Sequence, residues 1–122
     1  MAEPFLERAL AGAMPDFRSR WAELRRTYPP DAPPSAEDFL GYLVAHAHQA
    51  LIEQRAAEIT RLFLAVERLL SDADPVLADL LETRLIGALA EECRLSRVPS
   101  GLVLPHLGPR GRAAWERASS PG

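Results

Sequence analysis

The sequence predicts an all-α protein, a compact bundle of about five to six helices or a short HEAT-like α-solenoid. Apolar residues recur at helical spacing along the chain, and no stretch alternates with period two. Prolines 15, 29, 30, 75 and 109 fall at the edges of those periodic stretches, where they start or stop helices. A hydrophobic content of 48% with 25% charged residues is that of an ordinary folded soluble domain. At 122 residues the chain makes one domain, expected over 1–122. Its ordered core should run from about 4 to 118, with a proline-rich linker at 29–34 and a flexible tail at 119–122.

The first helix is expected over residues 3–13, with Phe5, Leu6, Ala9 and Leu10 on its apolar side. Pro15 suits the first turn of a second helix, whose Phe17, Trp21, Leu24 and Tyr28 fall on one stripe. Pro29 and Pro30 end it. Ser35 can cap a third helix, with Glu37 and Asp38 favourably placed in its first turn. That helix should bury Leu40, Leu43, Val44, Ala47 and Leu51. A fourth, over 56–71, aligns Ile59, Leu62, Phe63, Val66, Leu69 and Leu70.

Asp74 and Pro75 read as the N-cap and first residue of a fifth helix. Its main stripe is Leu77, Leu80, Leu81, Leu85, Ala88 and Leu89, and Ile86, Ala90 and Cys93 form a second patch roughly opposite. A helix apolar on two sides is packed on two sides, so it should be central or should meet a partner. Gly87 inside it suggests a close helix crossing. An irregular stretch then leads to a closing helix, with Leu107 and Trp115 packing back onto the core.

Composition restricts function. The net charge of -3 lacks the broad basic footprint of a nucleic-acid binder. Every basic side chain is arginine, a bias that a GC-rich genome also produces. A single cysteine, Cys93, excludes an intramolecular disulfide. The acidic N-terminus does not resemble a signal peptide, and no apolar run approaches the ~18 residues of a membrane span. A cytoplasmic protein without membrane contact is the expectation.

The residues that could do chemistry do not assemble into a motif. His46 and His48 lie two apart, so on a helix they point to opposite sides, whereas zinc ligands need i, i+3 or i+4 spacing. His46 should be a half-buried packing residue, and His106 belongs to a loop. No metal or other cofactor is expected. Cys93 sits late in its helix, away from the N-terminal dipole that activates a thiol, and reads as structural. Glu53, Glu58 and Glu67 read as partners for nearby arginines, with pairs expected at Glu58–Arg61 and Arg68–Asp72.

Candidate contact residues remain. Arg84 falls inside the main apolar arc of the fifth helix, where it must be paired or must extend to water, and Glu91 could join its network. Leu64 is an apolar residue on the same side as Arg61 and Arg68. Arg18, Arg25 and Arg26 make the best basic patch, opposite the aromatic stripe of the second helix.

The stretches "PDFRSRWAELRRTY", "DFLGYLVAHAHQALIEQ", "ERLLSDADPVLADLLETRLIGALAEE" and "LGPRGRAAWERA" occur in an order that resembles a poorly characterised family of small all-helical bacterial proteins. The resemblance covers roughly residues 15–118 and includes a "DADPVLADLL" turn like those of HEAT-like helix pairs. Some members are taken as immunity proteins against toxins used between competing bacteria. The resemblance transfers no catalytic residue and implies protein binding, in its most concrete form neutralisation of a cognate toxin. Two alternatives accompany it: a nucleic-acid-associated or regulatory protein using the Arg18, Arg25 and Arg26 face, or an enzyme or ligand-binding domain with a pocket around His46, Arg84 and Glu91.

Overall fold

The computed structural model describes residues 5–119, and the helices predicted from the periodicity are all present, with no strand among the described residues. Helix α1 is a π-helical turn, Glu7–Ala11, and α2 is Pro15–Arg26. Helix α3 is Ala36–Ile52 and α4 is Ala56–Asp72. Helix α5 is one continuous rod made of Pro75–Leu81, a π-helical stretch Glu82–Gly87, and Ala88–Ser96. Two 3₁₀ turns, Ser100–Leu102 and Leu104–His106, lead to α6, Pro109–Ser119. Residues 3 and 4 of the expected first helix lie outside the described residues, as do residues 120–122 of the expected tail; Ser119 closes α6.

Local chemistry sets the helix starts. Ser35 and Asp38 form a reciprocal capping box, the Asp38 N–H donating to Ser35 Oγ at 3.1 Å and the Ser35 N–H to Asp38 Oδ2 at 3.0 Å. Asp74 Oδ1 accepts from the Leu77 N–H at 2.8 Å, and Pro75 follows as the first helical residue. Between α3 and α4 the chain turns in three residues, with Gln54 in the left-handed conformation at φ 55°.

The buried stripes of α3 and α4 are those expected, and they merge with Leu6, Leu10, Phe17 and Trp21 into one core. Each fully buried leucine or phenylalanine contributes roughly 2 kcal/mol. Two expectations for this side of the bundle fail. Phe5 remains 46% exposed, and Tyr28 leaves α2 to meet the Tyr42 hydroxyl at 3.5 Å.

Helix α5 is packed on two sides, by α3 and by α6, so its second patch is covered by the chain's own last helix. Its buried residues form one broad arc, Leu81, Leu85, Leu89, Cys93, Ile86 and Ala90, rather than two separated patches. Leu77, Leu80 and Ala88 are only partly buried at the margin. Gly87 belongs to the crossing with α6: a Cβ there would lie 4.0 Å from Ala118 Cβ and 3.1 Å from the Glu82 carbonyl oxygen. α4 reaches α1, α3, the first part of α5 and α6, so the elements close into one bundle.

Helix α6 is fastened by a residue far away in sequence. The Glu67 carboxylate accepts from the backbone N–H groups of Arg110 (3.1 Å) and Gly111 (3.0 Å), serving as N-cap for a helix it does not belong to. Gly108 permits the approach, since a Cβ there would sit 2.6 Å from the Glu67 side chain. Glu67→Ala should therefore lower stability by about 1 kcal/mol, the usual effect of losing a cap, read as a lower urea midpoint at unchanged slope.

Candidate functional site

On the outer face of α4, Arg61, Leu64 and Arg68 stand on one helical stripe, and all three are exposed. α1 and the chain just after it lie alongside and contribute Ala9 and Ala13, while α4 adds Ala65. Together these six residues line a shallow depression of about 300 Å³. Alanines make up half of its lining, and Leu64 within that lining is 51% exposed. Arg61 Nε donates to the Ala13 carbonyl at 3.3 Å, which ties its stem to the rim.

The expected partners of these arginines are engaged elsewhere or stand apart. Glu58 turns inward instead of meeting Arg61, and no Arg68–Asp72 ion pair forms among the described residues. Elsewhere acids take the arginines: Arg25 pairs with Glu7, Arg84 with Glu37, Arg110 with Glu67 and Arg117 with Glu82. Glu53 meets Arg55 at 3.0 Å. No described carboxylate pairs with Arg61 or Arg68, and none lines the depression.

The second basic patch is weaker than its sequence suggests. Arg18 and Arg26 are exposed on α2, but Arg25 is held by Glu7. Arg84 lies outside the buried arc of α5, because packing against α6 centres that arc on Leu85 and Cys93 instead of Leu77. It meets Glu37 across solvent at 3.6 Å. Glu91 does not join it: Arg94 donates to Glu91 at 3.0 Å and holds its carboxyl below the ordinary value. His46, Arg84 and Glu91 thus have three separate partners, and the pocket expected around them does not assemble.

His46 is fully buried rather than half-buried, and Glu58 is buried with it. The His46 Nε2–Glu58 Oε1 distance is 2.8 Å, and Arg55 Nη1 donates to Glu58 Oε2 at 2.6 Å. The Phe17 ring packs on the imidazole at a centroid distance of 5.3 Å. A signal for this pair existed in the sequence: Glu58 falls in line with Leu62 and Leu69, and His46 with Leu43 and Ala50. A carboxylate and a histidine on two facing apolar stripes must find each other or remain unsatisfied. His48 and His106 go elsewhere, hydrogen-bonding Ser96 Oγ at 2.7 Å and Thr60 Oγ1 at 2.9 Å. No group of three or more His, Cys, Asp or Glu residues suited to a metal ion occurs among the described residues.

The family model for DUF7674, a domain of unknown function, matches residues 8–120. The chain belongs to that family. No curated protein and no solved structure matches it. The matched region of this DUF7674 domain contains α4 with its depression, the His46–Glu58 pair and Cys93. No helix among its described residues is long and apolar enough to cross a membrane. Burial, reinforced by the neighbouring Glu92 carboxylate, pushes the Cys93 thiol up to about 11. At pH 8 the native DUF7674 domain should therefore leave a thiol reagent almost unconsumed, and should react fully in guanidinium. Rapid labelling of the native chain would contradict a structural role for Cys93.

Proposed function

We propose that this DUF7674 domain is a non-enzymatic protein-binding module, and that its concrete task is to neutralise a toxin. The reading rests on the depression of α4, where a leucine more than half exposed stands between two arginines that have no acidic partner among the described residues. Single exposed leucines are common. One set over a small-residue hollow and bracketed by cations has the anatomy of an interface, with an apolar centre inside a polar rim. The side chains that could have carried chemistry support the same reading. His46 is held by Glu58 in the core, and Cys93 is a buried, protonated thiol.

The test is co-expression with the product of a toxin-like gene lying immediately upstream of its own. Survival of the host and co-purification of the two chains are the expected results, with both lost in Leu64→Asp. A toxin that stays fully lethal beside the wild-type chain would refute neutralisation.

A further inference from the structure

We infer that the depression formed by Ala9, Ala13, Arg61, Leu64, Ala65 and Arg68 takes an acidic segment of another protein, one whose carboxylates flank a single apolar side chain. This rests on the protein-binding reading above and specifies what that surface recognises.

The argument begins with charge. Arg61 and Arg68 are seven residues apart on α4, roughly 10 Å along its axis, and both lie on the side that carries Leu64. Among the described residues no carboxylate lines the hollow between them. Arg61 is anchored through Nε to the Ala13 carbonyl, so its orientation is set before any partner arrives, while its terminal nitrogens remain available for a carboxylate. The geometry fits two acidic groups about 10 Å apart.

The centre requires something else. The lining alanines and the exposed Leu64 offer apolar surface to one inserted side chain. A nucleic-acid backbone presents phosphates but no aliphatic anchor, and a chain of net charge -3 repels a long polyanion beyond the reach of two arginines. An acidic peptide with a leucine, isoleucine or aromatic residue between its carboxylates satisfies both halves of the surface.

The experiment is selection of a random peptide display library on the full chain, followed by affinity measurement with the enriched peptides made synthetically. Enriched sequences should combine Asp or Glu with one large apolar residue. Their affinity should fall about tenfold or more in Leu64→Asp and in Arg68→Glu, and should weaken as salt rises. Selection repeated on the Arg61→Glu/Arg68→Glu variant should return basic peptides in place of acidic ones. All three side chains are exposed, so an unchanged circular dichroism spectrum and melting temperature certify the variants; Arg68→Gln, expected to weaken binding less than Arg68→Glu, provides a milder check on fold. Peptides with no acidic bias, or affinity unchanged by Leu64→Asp and Arg68→Glu, would overturn this assignment while leaving a protein-binding module in place. A library that yields no binder would overturn both. Binding of duplex DNA or anionic vesicles that disappears in Arg68→Glu, with no peptide enriched, would assign the surface to a polyanion instead.

Discussion

Glu58→Leu should destabilise the protein by about 3 kcal/mol, a fall of roughly 12 °C in melting temperature, although leucine suits a helix interior. The loss comes from what is left behind. Glu58 accepts from both His46 and Arg55, and His46 is only 4% exposed, which shields it from bulk solvent. Removing Glu58 leaves the imidazole Nε2 unsatisfied in the core, beside an Nδ1 that already lacks a partner among the described residues. Arg55 is less affected, because it is 31% exposed and retains Glu53 at 3.0 Å and Asp16 at 3.8 Å. The double variant His46→Leu/Glu58→Leu should therefore recover most of the stability, since replacing both members of a buried hydrogen-bonded pair by apolar side chains is often nearly neutral. Denaturation of the wild type, the two single variants and the double variant closes the cycle. A double variant as unstable as the sum of the singles would show that the two residues act independently.

Trp115→Ala should cost about 4 kcal/mol, the range for emptying a buried large aromatic site. Trp115 is 2% exposed and is the main apolar anchor of α6, and its indole N–H donates to Ser100 Oγ at 3.1 Å. It also lines, with Ala90 and Cys93, a cavity of about 190 Å³ between α5 and α6. Loosening α6 therefore uncovers the second side of α5, and Cys93 should become reactive toward thiol reagents at a denaturant concentration where the wild type is still protected. Trp115→Phe keeps most of the packing and loses the hydrogen bond, so a smaller loss of about 1 kcal/mol is expected. Unchanged Cys93 labelling in Trp115→Ala would mean that α6 does not shield that side of the rod.

Much of the fold was legible because helices are specified locally. The spacing of Ile59, Leu62, Phe63 and Val66 identifies the inner face of α4 without reference to any other segment. Ser35, Asp74 and Pro75 start their helices through contacts within one turn. The two-sided burial of α5 was likewise implied by its apolar excess. Its centre was not: a helical wheel placed Arg84 inside the arc, and only packing against α6 shifts the arc toward Cys93 and leaves Arg84 in solvent.

The candidate surface divides in the same way. Sequence placed Arg61, Leu64 and Arg68 on one side of α4, since i, i+3 and i+7 share a face on any helix. It could not supply the alanines of the α1 side, and although Glu58 and His46 each fall in line with an apolar stripe, only the packing of α3 on α4 brings them together and leaves Arg61 without its expected partner. Helix positions, caps and apolar faces were thus determined by the sequence itself, because each depends on neighbours within a few residues. Which face covers which, which partner a buried carboxylate meets and which arginines stay unpaired were decided by tertiary structure. Those outcomes depend on desolvation and distance between segments remote in the chain, which no local pattern encodes.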